Sequence, residues 1–275
     1  MSGIRQSISN RLVPRLFTPA VRRFLWRKWY GYLTGRIRKH GRAVTFLNYG
    51  YVPPPGSPTL ALESCDEPDR PMILLYQRVV EGAALAGKAI LEVSCGHGGG
   101  SSFIQRYHRP GSFTAIDQNP AAIDYCRARH GHLGILYRVG DAEDLPLPAA
   151  SLDAVVNVEA SHCYPNPPVF YREVHRVLRP AGQFLYADFR PADRAAEVDA
   201  GLAAAGFGVL EKEDITPRVV EALRQTTGDV EELIERLAPR FLHRLLAHFA
   251  ALEGSGPYLR FQNRELVYTR YRLQK

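Results

Sequence analysis

Cysteine is scarce in this chain of 275 residues, and its four cysteines lie far apart. They are Cys65, Cys95, Cys126 and Cys163, and no two of them form a C-x-x-C pair. This spacing argues against a zinc site and against the dense framework of a disulfide-stapled protein, and no metal is expected. A reducing cytosol is the compartment that such cysteine usage favours.

Long apolar runs are also missing. No stretch approaches the ~20 apolar residues of a membrane-spanning helix. Arginines interrupt the apolar residues near the N-terminus, so a signal peptide is not expected. These features predict a cytoplasmic protein and leave open a peripheral contact with the inner face of the membrane.

Acidic residues are absent from residues 1–62, which contain eleven basic residues. The rest of the chain holds 24 basic and 28 acidic residues, so the net charge of +7 comes from this basic arm. Within the arm, apolar side chains follow helical spacing at Val21, Phe24, Leu25, Trp29, Tyr32 and Leu33. The arm is interpreted as a lid helix or as a helix in the interface of an anionic membrane. Nucleic-acid binding is disfavoured, since no recognised fold accompanies the charge.

The remaining pattern predicts an N-terminal segment, residues 1–85, and a domain, residues 86–275. Short apolar runs in the domain predict strands, and stretches of helical period separate most of them. The predicted strands are Ala89–Val93, Phe113–Ile116, Ile135–Val139, Ala154–Val158, Gln183–Ala187, Phe207–Ile215 and Glu265–Leu273. This alternation predicts an α/β fold whose parallel sheet ends in an antiparallel pair.

A helical insertion, residues 217–257, is predicted between the last two strands. Its pattern indicates helices over Pro217–Thr226 and Asp229–Leu252, followed by a loop over Gly254–Pro257. Apolar residues at helical spacing are expected to form one wall of an apolar acceptor pocket. They are Leu233, Leu237, Phe241, Leu245 and Phe249.

A glycine-rich segment, Leu91–Ser102, directly follows the first predicted strand and precedes a helix. Such a loop lets a ligand approach the backbone, and the helix N-terminus favours a nucleotide-type ligand. Asp117, at the end of the next strand, suits the hydroxyls of a ribose. Asp141 suits an adenine amine, and Glu92 suits a cationic amino acid group and would repel a pyrophosphate. These acids favour S-adenosylmethionine, and a nicotinamide-dependent oxidoreductase is the enzyme alternative.

Five segments carry a resemblance to the class I S-adenosylmethionine-dependent methyltransferases. They are E-V-S-C-G-H-G at 92–98, A-I-D-Q-N-P at 115–120, V-G-D-A-E-D-L-P at 139–146, L-D-A-V-V-N-V-E at 152–159 and R-V-L-R-P-A-G-Q-F-L at 176–185. Residues 45–51, 65–68, 91–100 and 157–165 more narrowly resemble the mycobacterial phthiotriol/phenolphthiotriol dimycocerosate methyltransferases and related glycolipid and natural-product O-methyltransferases.

This resemblance implies a Rossmann-like sheet of seven strands with an N-terminal helical lid. It implies S-adenosylmethionine as the cofactor, in a pocket lined by Glu92, Ser94, Gly96, Gly98, Asp117, Gln118, Asp141, Ala142 and Asn157. Ser94 departs from the broad family, which usually has a glycine there, and is interpreted as a mark of the narrower group.

Two residues are candidates for the chemistry, His162 after the fourth predicted strand and Asp188 at the end of the fifth. Both lie at the carboxyl edge, where open α/β sheets bind ligands. His162 is expected to act as the general base and Asp188 to orient or polarise it, as similarity to sugar O-methyltransferases also implies. In the structural alternative His162 packs at a strand exit and Asp188 caps the next helix. Asn166 is predicted to cap a helix that begins at Pro167.

The predicted function is methyl transfer from S-adenosylmethionine to a hydroxyl of a lipid, glycolipid or other apolar natural product. Carbon or nitrogen methylation stays open, because the cofactor motifs are common to all three reactions. A nucleic-acid-binding protein on a degenerate methyltransferase scaffold is the non-enzyme alternative. The partners considered are an apolar or glycolipid acceptor, an anionic membrane that contacts the basic arm, and a second copy in a homodimer.

Overall fold

The computed structural model describes residues 44–275, apart from the side chain of Leu237. Within these residues seven strands form one sheet, in the order β3-β2-β1-β4-β5-β7-β6. The strands are β1 (Ala89–Val93), β2 (Ser112–Asp117), β3 (Leu136–Val139), β4 (Leu152–Val158), β5 (Leu178–Pro191), β6 (Gly208–Asp214) and β7 (Leu266–Gln274). The first five run parallel, and β7 pairs antiparallel with both β5 and β6. The predicted α/β fold is confirmed.

Helices cover both faces of this sheet. They are α1 (Arg70–Val80), α2 (Gly99–His108), α3 (Pro120–His130), α4 (Pro167–Val177), α5 (Ala195–Ala204), α6 (Thr216–Leu237), α7 (Arg240–Phe249) and α8 (Gly256–Gln262). Alternate strand residues enter opposite cores: Ile90 packs with α1 and α3, and Leu91 packs with α4 and α5. The strands are therefore apolar on both faces, as buried parallel strands are.

The strand order reverses between β1 and β4, which both leave the sheet at its carboxyl edge. A crevice opens at such a switch point because the following loops turn in opposite directions. The exits of β3, β2 and β1 lie on one side of it, and the exits of β4 and β5 lie on the other. Every site residue predicted from the sequence belongs to one of these five strands or to the segment that follows it.

The insertion differs from its prediction in where its helices break. The first helix continues through Gly228 to Leu237 and ends before Pro239, which has no N–H to continue it. The predicted loop at Gly254–Pro257 instead begins α8, because the Ser255 side chain caps the N–H of Tyr258. The fifth strand is also longer than predicted and continues past Asp188, because β7 pairs with it as far as Pro191.

The apolar stripe of the insertion does not face inward as a whole. Phe241 is 81% exposed, Leu245 is 42% exposed and Phe249 is 37% exposed, so the prediction of an inner wall is wrong for these three residues. The predicted arm helix, Val21–Leu33, lies outside the described residues. In the part of the chain that the structure describes, no helix is long and apolar enough to cross a membrane.

Candidate active site

The exits of β1, β2 and β3 meet around the carboxylate of Asp117. One of its oxygens accepts the N–H of Gly96 at 2.9 Å, and the other accepts the N–H of Asn119 at 2.9 Å. Burial raises the pKa of Asp117, and these two hydrogen bonds oppose that rise. The N–H of Gly140 donates to the Asp117 carbonyl at 3.1 Å, which holds the loop of Asp141 beside it. Each carboxylate oxygen keeps a lone pair for a further donor, as binding of a ribose diol would require.

The glycines of the β1–α2 loop serve packing as well as backbone conformation. A Cβ on Gly98 would lie 3.0 Å from the Tyr137 hydroxyl, and one on Gly100 would lie 2.0 Å from the Tyr76 ring. At Gly96 the nearest atom to an added Cβ is the Leu47 side chain, at 3.3 Å. Gly96 (φ +54°) and Gly98 (φ +78°) have left-handed backbone conformations that favour glycine, and protein packing explains Gly100. Close approach of a ligand at Gly96 stays a prediction. Cofactor contact at Gly98 stays a prediction.

The N-terminus of α2 is already occupied by the chain itself. The N–H of Gly99 donates to the Thr45 carbonyl at 3.1 Å, and an added Cβ on Gly99 would lie 2.7 Å from the same oxygen. A dinucleotide site would direct this N–H at a pyrophosphate. The arrangement suits a ligand without phosphate.

Glu92 lies in the interior, with 1% of its surface exposed. Its carboxylate accepts the Tyr76 hydroxyl at 2.8 Å and also the Ser101 hydroxyl. Burial raises the pKa of Glu92 to about 7, against the effect of these two bonds. The predicted contact between Glu92 and a cationic amino acid group stays a prediction.

Ser94 and Asn157 are joined through Tyr164. The Ser94 hydroxyl lies 2.6 Å from the Tyr164 hydroxyl, which also accepts the Asn157 amide N–H at 3.0 Å. The second amide N–H of Asn157 donates to the Val93 carbonyl at 2.9 Å. Its Oδ1 is buried and accepts no hydrogen bond within residues 44–275. An unpaired buried oxygen is costly, so a donor such as a bound ligand fits here.

These observations fit S-adenosylmethionine. At the switch point the Asp117 carboxylate keeps acceptor capacity, Asn157 Oδ1 lacks a donor within the described residues, and the Gly99 N–H that would bind a phosphate is taken by Thr45. Gln118 and Asp141 are exposed beside the switch point, and Ala142 is buried. The individual cofactor contacts of these residues stay predictions.

Across the crevice, His162 and Asp188 form a hydrogen-bonded pair. A short helical turn, Ser161–Cys163, follows β4 and carries His162 over the end of β5. The His162 Nδ1 lies 2.8 Å from one Asp188 oxygen, and the His162 backbone N–H donates to the other at 2.8 Å. The His162 side chain is 26% exposed, and that of Asp188 is 1% exposed. Because Asp188 holds Nδ1, Nε2 is the nitrogen left to exchange a proton with an acceptor.

Two further residues hold Asp188, and the sequence analysis missed both. The Arg190 guanidinium lies 3.0 Å from Asp188 Oδ2, and the Ser161 hydroxyl donates to the same oxygen at 2.7 Å. A second guanidinium nitrogen of Arg190 donates to Ser161 at 2.7 Å, and Ser161 also bonds the Tyr186 hydroxyl. The signal was present in the sequence, since Asp188 and Arg190 are two residues apart and share a face of one strand.

The charges of this group determine how it titrates. Burial alone would raise the pKa of Asp188, but His162 and Arg190 hold it far below its usual range. Burial opposes protonation of His162, but the Asp188 charge and hydrogen bond raise its pKa well above the ordinary 6.5. The Cys163 thiol adds to that rise. The Asp188 carboxylate therefore stabilises the protonated form of His162 and strengthens this histidine as a base.

The structural alternative fails for Asp188 but not for His162, which does pack and hydrogen-bond at the exit of β4. The catalytic role of His162 stays a prediction. The Asp188 carboxylate bonds His162, Ser161 and the N–H of Phe189, and it caps no helix. Asn166 does precede α4, as predicted, with Pro167 as the first helical residue. The predicted side-chain cap is absent, because the Asn166 side chain accepts no N–H of the helix, and the backbone N–H of Asn166 donates to Glu143 at 2.6 Å.

Aromatic rings surround His162 on the side away from Asp188. Phe189 lies against the imidazole with ring centroids 4.2 Å apart, and Tyr49 stacks on Phe189 at 5.6 Å. Phe261 packs edge-on against both rings. Glu159 accepts the Tyr49 N–H at 3.0 Å, and burial raises its pKa to about 8. The surroundings suit an apolar acceptor with one polar group.

Comparison with known proteins agrees with this geometry. Residues 91–186 match the model of a methyltransferase domain family. The chain is 39% identical to the phthiotriol/phenolphthiotriol dimycocerosates methyltransferase of Mycobacterium leprae, over 91% of this chain and 92% of the relative. It is 43% identical to a fatty-acid O-methyltransferase of Mycolicibacterium smegmatis, over 78% of this chain and 77% of the relative.

Solved structures share the fold at lower identity. The [4+2]-cyclase SpnF superimposes with a TM-score of 0.69 and 20% identity, over 90% of this chain and 94% of that one. Geranyl diphosphate C-methyltransferase of Streptomyces coelicolor superimposes with a TM-score of 0.59 and 14% identity, over 88% and 98%. The chain belongs to the family of S-adenosylmethionine-dependent methyltransferases that includes the phthiotriol/phenolphthiotriol dimycocerosates methyltransferases.

Proposed function

We propose that this enzyme methylates a hydroxyl group of a lipid, with His162 as general base and Asp188 as its partner. The single observation that carries the proposal is the hydrogen-bonded pair at 2.8 Å, set against a wall of aromatic rings. S-adenosylmethionine, when bound, would supply a methyl group on a cationic sulfur; the O–CH₃ bond would form as the bond from carbon to sulfur breaks, and S-adenosylhomocysteine would leave.

The chain contributes orientation and proton transfer. Asp188 fixes the imidazole through Nδ1, so that Nε2 is the nitrogen available to take the hydroxyl proton as the O–CH₃ bond forms. Transfer of the methyl group needs the acceptor oxygen, the methyl carbon and the sulfur in line, and this alignment supplies much of the acceleration. The aromatic surface of Tyr49 and Phe189, with the buried Phe261 ring packed behind them, would hold the acyl or alkyl part of the acceptor.

The relatives support an apolar acceptor. One is named for phthiotriol and phenolphthiotriol dimycocerosates and another for fatty acids. Tyr49, Phe189 and Phe261 bring no charge of their own to the aromatic wall, so a long apolar chain fits it better than a sugar or nucleotide does.

A fatty-acid carboxyl group is the second candidate acceptor, and the raised pKa of His162 favours it. A protonated imidazole would attract a carboxylate and place its oxygen beside the methyl donor. A carboxylate has no proton to lose at neutral pH, so it would need His162 as a cation and not as a base.

The pH dependence of turnover distinguishes the two acceptors. With a long-chain alcohol, turnover is expected to rise with pH through the pKa of His162, which lies above the ordinary 6.5, and to level off only beyond that pKa, because His162 must lose its proton first. With a fatty acid of equal chain length, turnover is expected to fall over the same interval. Initial rates with labelled S-adenosylmethionine measure both. Transfer to neither acceptor, by protein that binds the cofactor, would contradict the proposal.

The membrane contact and the site of action belong to the same proposal. We infer that the enzyme acts in the cytoplasm at an anionic membrane surface, where a lipid acceptor would be found. The basic arm, residues 1–62, supports this inference through its eleven cations and its lack of acids. Vesicle binding that is sensitive to salt and is lost on removal of residues 1–40 is expected. Equal binding by full-length and truncated protein would refute the role of the arm.

A further inference from the structure

Helix α7, Arg240–Phe249, exposes apolar side chains to solvent, whereas an ordinary surface helix buries its apolar face. Phe241 is 81% exposed and Leu245, four residues later, is 42% exposed. Phe249, at the end of the helix, is 37% exposed, whereas Leu242 and Leu246 are half-buried. Apolar residues thus occupy the outer face as well as the inner face.

A row of positive charge runs beside this apolar row. Arg240 and Arg244 are exposed and lie one turn apart, next to Phe241 and Leu245 on the helix surface. Residues 236–252 contain three arginines and two histidines but no acidic residue. An apolar row flanked by cations is typical of a helix that lies in the interface of an anionic membrane.

The helix also connects directly to the active site. The Tyr49 hydroxyl donates to the Phe249 carbonyl at 3.2 Å, at the end of α7. Tyr49 stacks on Phe189, which in turn lies against His162. An aromatic surface therefore leads from α7 to the catalytic imidazole.

We propose that α7 docks the enzyme on an anionic bilayer, with Phe241 and Leu245 among the acyl chains and with Arg240 and Arg244 at the phosphates. The benefit for catalysis rests on the proposed lipid acceptor, which would pass from the bilayer along the aromatic surface to His162. A second copy of this chain is a poorer partner, because two facing copies of α7 would oppose their arginines without any acid between them.

The test measures sedimentation of the full chain with vesicles of phosphatidylcholine, with and without phosphatidylglycerol. The double variant Phe241→Ser, Leu245→Ser is expected to lose at least about tenfold in partition to anionic vesicles. The double variant Arg240→Gln, Arg244→Gln is expected to lose on the order of tenfold on anionic vesicles and little on neutral ones. The matched control is Val209→Ser, Leu210→Ser on β6, where the two residues are 57% and 43% exposed.

Three results would overturn the proposal. One is unchanged vesicle binding by the double serine variant, which would leave the arm as the membrane contact. Another is an equal loss in the β6 control. The third is a dimer of the wild-type chain that the serine variant converts to a monomer, since a second copy would then cover α7.

Catalytic assays separate this proposal from the proposed function. With an acceptor dispersed in detergent, the serine variant is expected to match wild type in turnover and cofactor affinity. With the same acceptor in vesicles, its turnover is expected to fall in parallel with its binding. Binding through α7 without methylation of any lipid hydroxyl would refute the proposed function and leave the docking surface intact.

Discussion

The two sides of the crevice are built on different principles. On the cofactor side, the Asp117 carboxylate is held by two backbone N–H groups and the chain turns at glycines. On the acceptor side, the buried Asp188 carboxylate at the end of β5 is held by the side chains of Arg190, Ser161 and His162. Backbone N–H groups that hold a carboxylate are positioned by the conformation of the loop, whereas a cluster of charged side chains depends on every charge in it. Substitutions should therefore change cofactor binding locally on one side and alter the whole charge balance on the other.

Asp188→Asn is expected to have the largest effect, because it removes the centre of the charge cluster. Turnover should fall by roughly 10²–10⁴, since His162 loses both its orientation and its negative partner. Stability should fall by about 3 kcal/mol, since Arg190 is left buried without a counter-charge. Initial rates and urea unfolding measure the two effects. The control is Asp193→Asn, at an exposed position on the same side of the sheet. Equal stability of the two variants would contradict the account of the cluster.

Gly100→Ala is expected to have the largest effect on the cofactor side. The new methyl group would meet the Tyr76 ring at 2.0 Å, and Tyr76 cannot move freely because its hydroxyl bonds Glu92. A loss of about 2 kcal/mol in the free energy of unfolding is expected from overpacking. Gly131→Ala is the matched control, because it has a helical φ of −58° and no atom within 4 Å of the added Cβ. It should leave stability unchanged or raise it slightly, and a similar loss in both variants would rule out the packing explanation.

Arg190→Met tests the charge balance of the acceptor side more finely. Arg190 competes with His162 for Asp188, so its removal should raise the pKa of His162 further. With a hydroxyl acceptor, the rising limb of the pH profile should move to higher pH, and turnover at neutral pH should fall by roughly tenfold or less. Arg190→Lys keeps the charge and should restore most of the wild-type profile. A profile that is unchanged in Arg190→Met would show that Arg190 is only structural.

Ser94→Gly is expected to have the smallest effect. Ser94 has a φ of +60°, which glycine adopts more easily, but its hydroxyl bonds Tyr164 at 2.6 Å. Relief of strain and loss of the hydrogen bond oppose each other, so the change in stability should be less than about 1 kcal/mol. Calorimetry with S-adenosylmethionine should show an affinity close to wild type. A large loss of affinity would mean that Ser94 contacts the cofactor directly.

The sequence predicted the fold, the cofactor and the edge of the sheet where the candidate cofactor residues lie, for one physical reason. Strand period, glycines and strand-end acids are local features, and the parallel order brings them to one edge wherever the helices lie. The pairing of His162 with Asp188 was also predictable, because adjacent strands end side by side. Arg190 was missed because its role depends on β5 continuing past Asp188, which pairing with β7 imposes.

The insertion was less predictable because helix breaks and helix orientation depend on distant contacts. Gly228 is an expected breaker, yet α6 continues through it, with Thr226 and Thr227 bonding the carbonyls of Ala222 and Leu223. The apolar stripe of α7 has the period of a buried helix, and periodicity cannot tell a face that packs on protein from one that packs on lipid.

The most direct measurement of the central claim compares His162→Ala with His132→Ala, an exposed histidine in the turn before β3. Turnover with a long-chain alcohol and affinity for S-adenosylmethionine are measured for both variants. The account predicts that His162→Ala lowers turnover by roughly 10²–10⁴ while its cofactor affinity stays close to that of His132→Ala. Equal turnover in the two variants, or a loss of affinity in His162→Ala that accounts for its loss of turnover, would contradict His162 as the base.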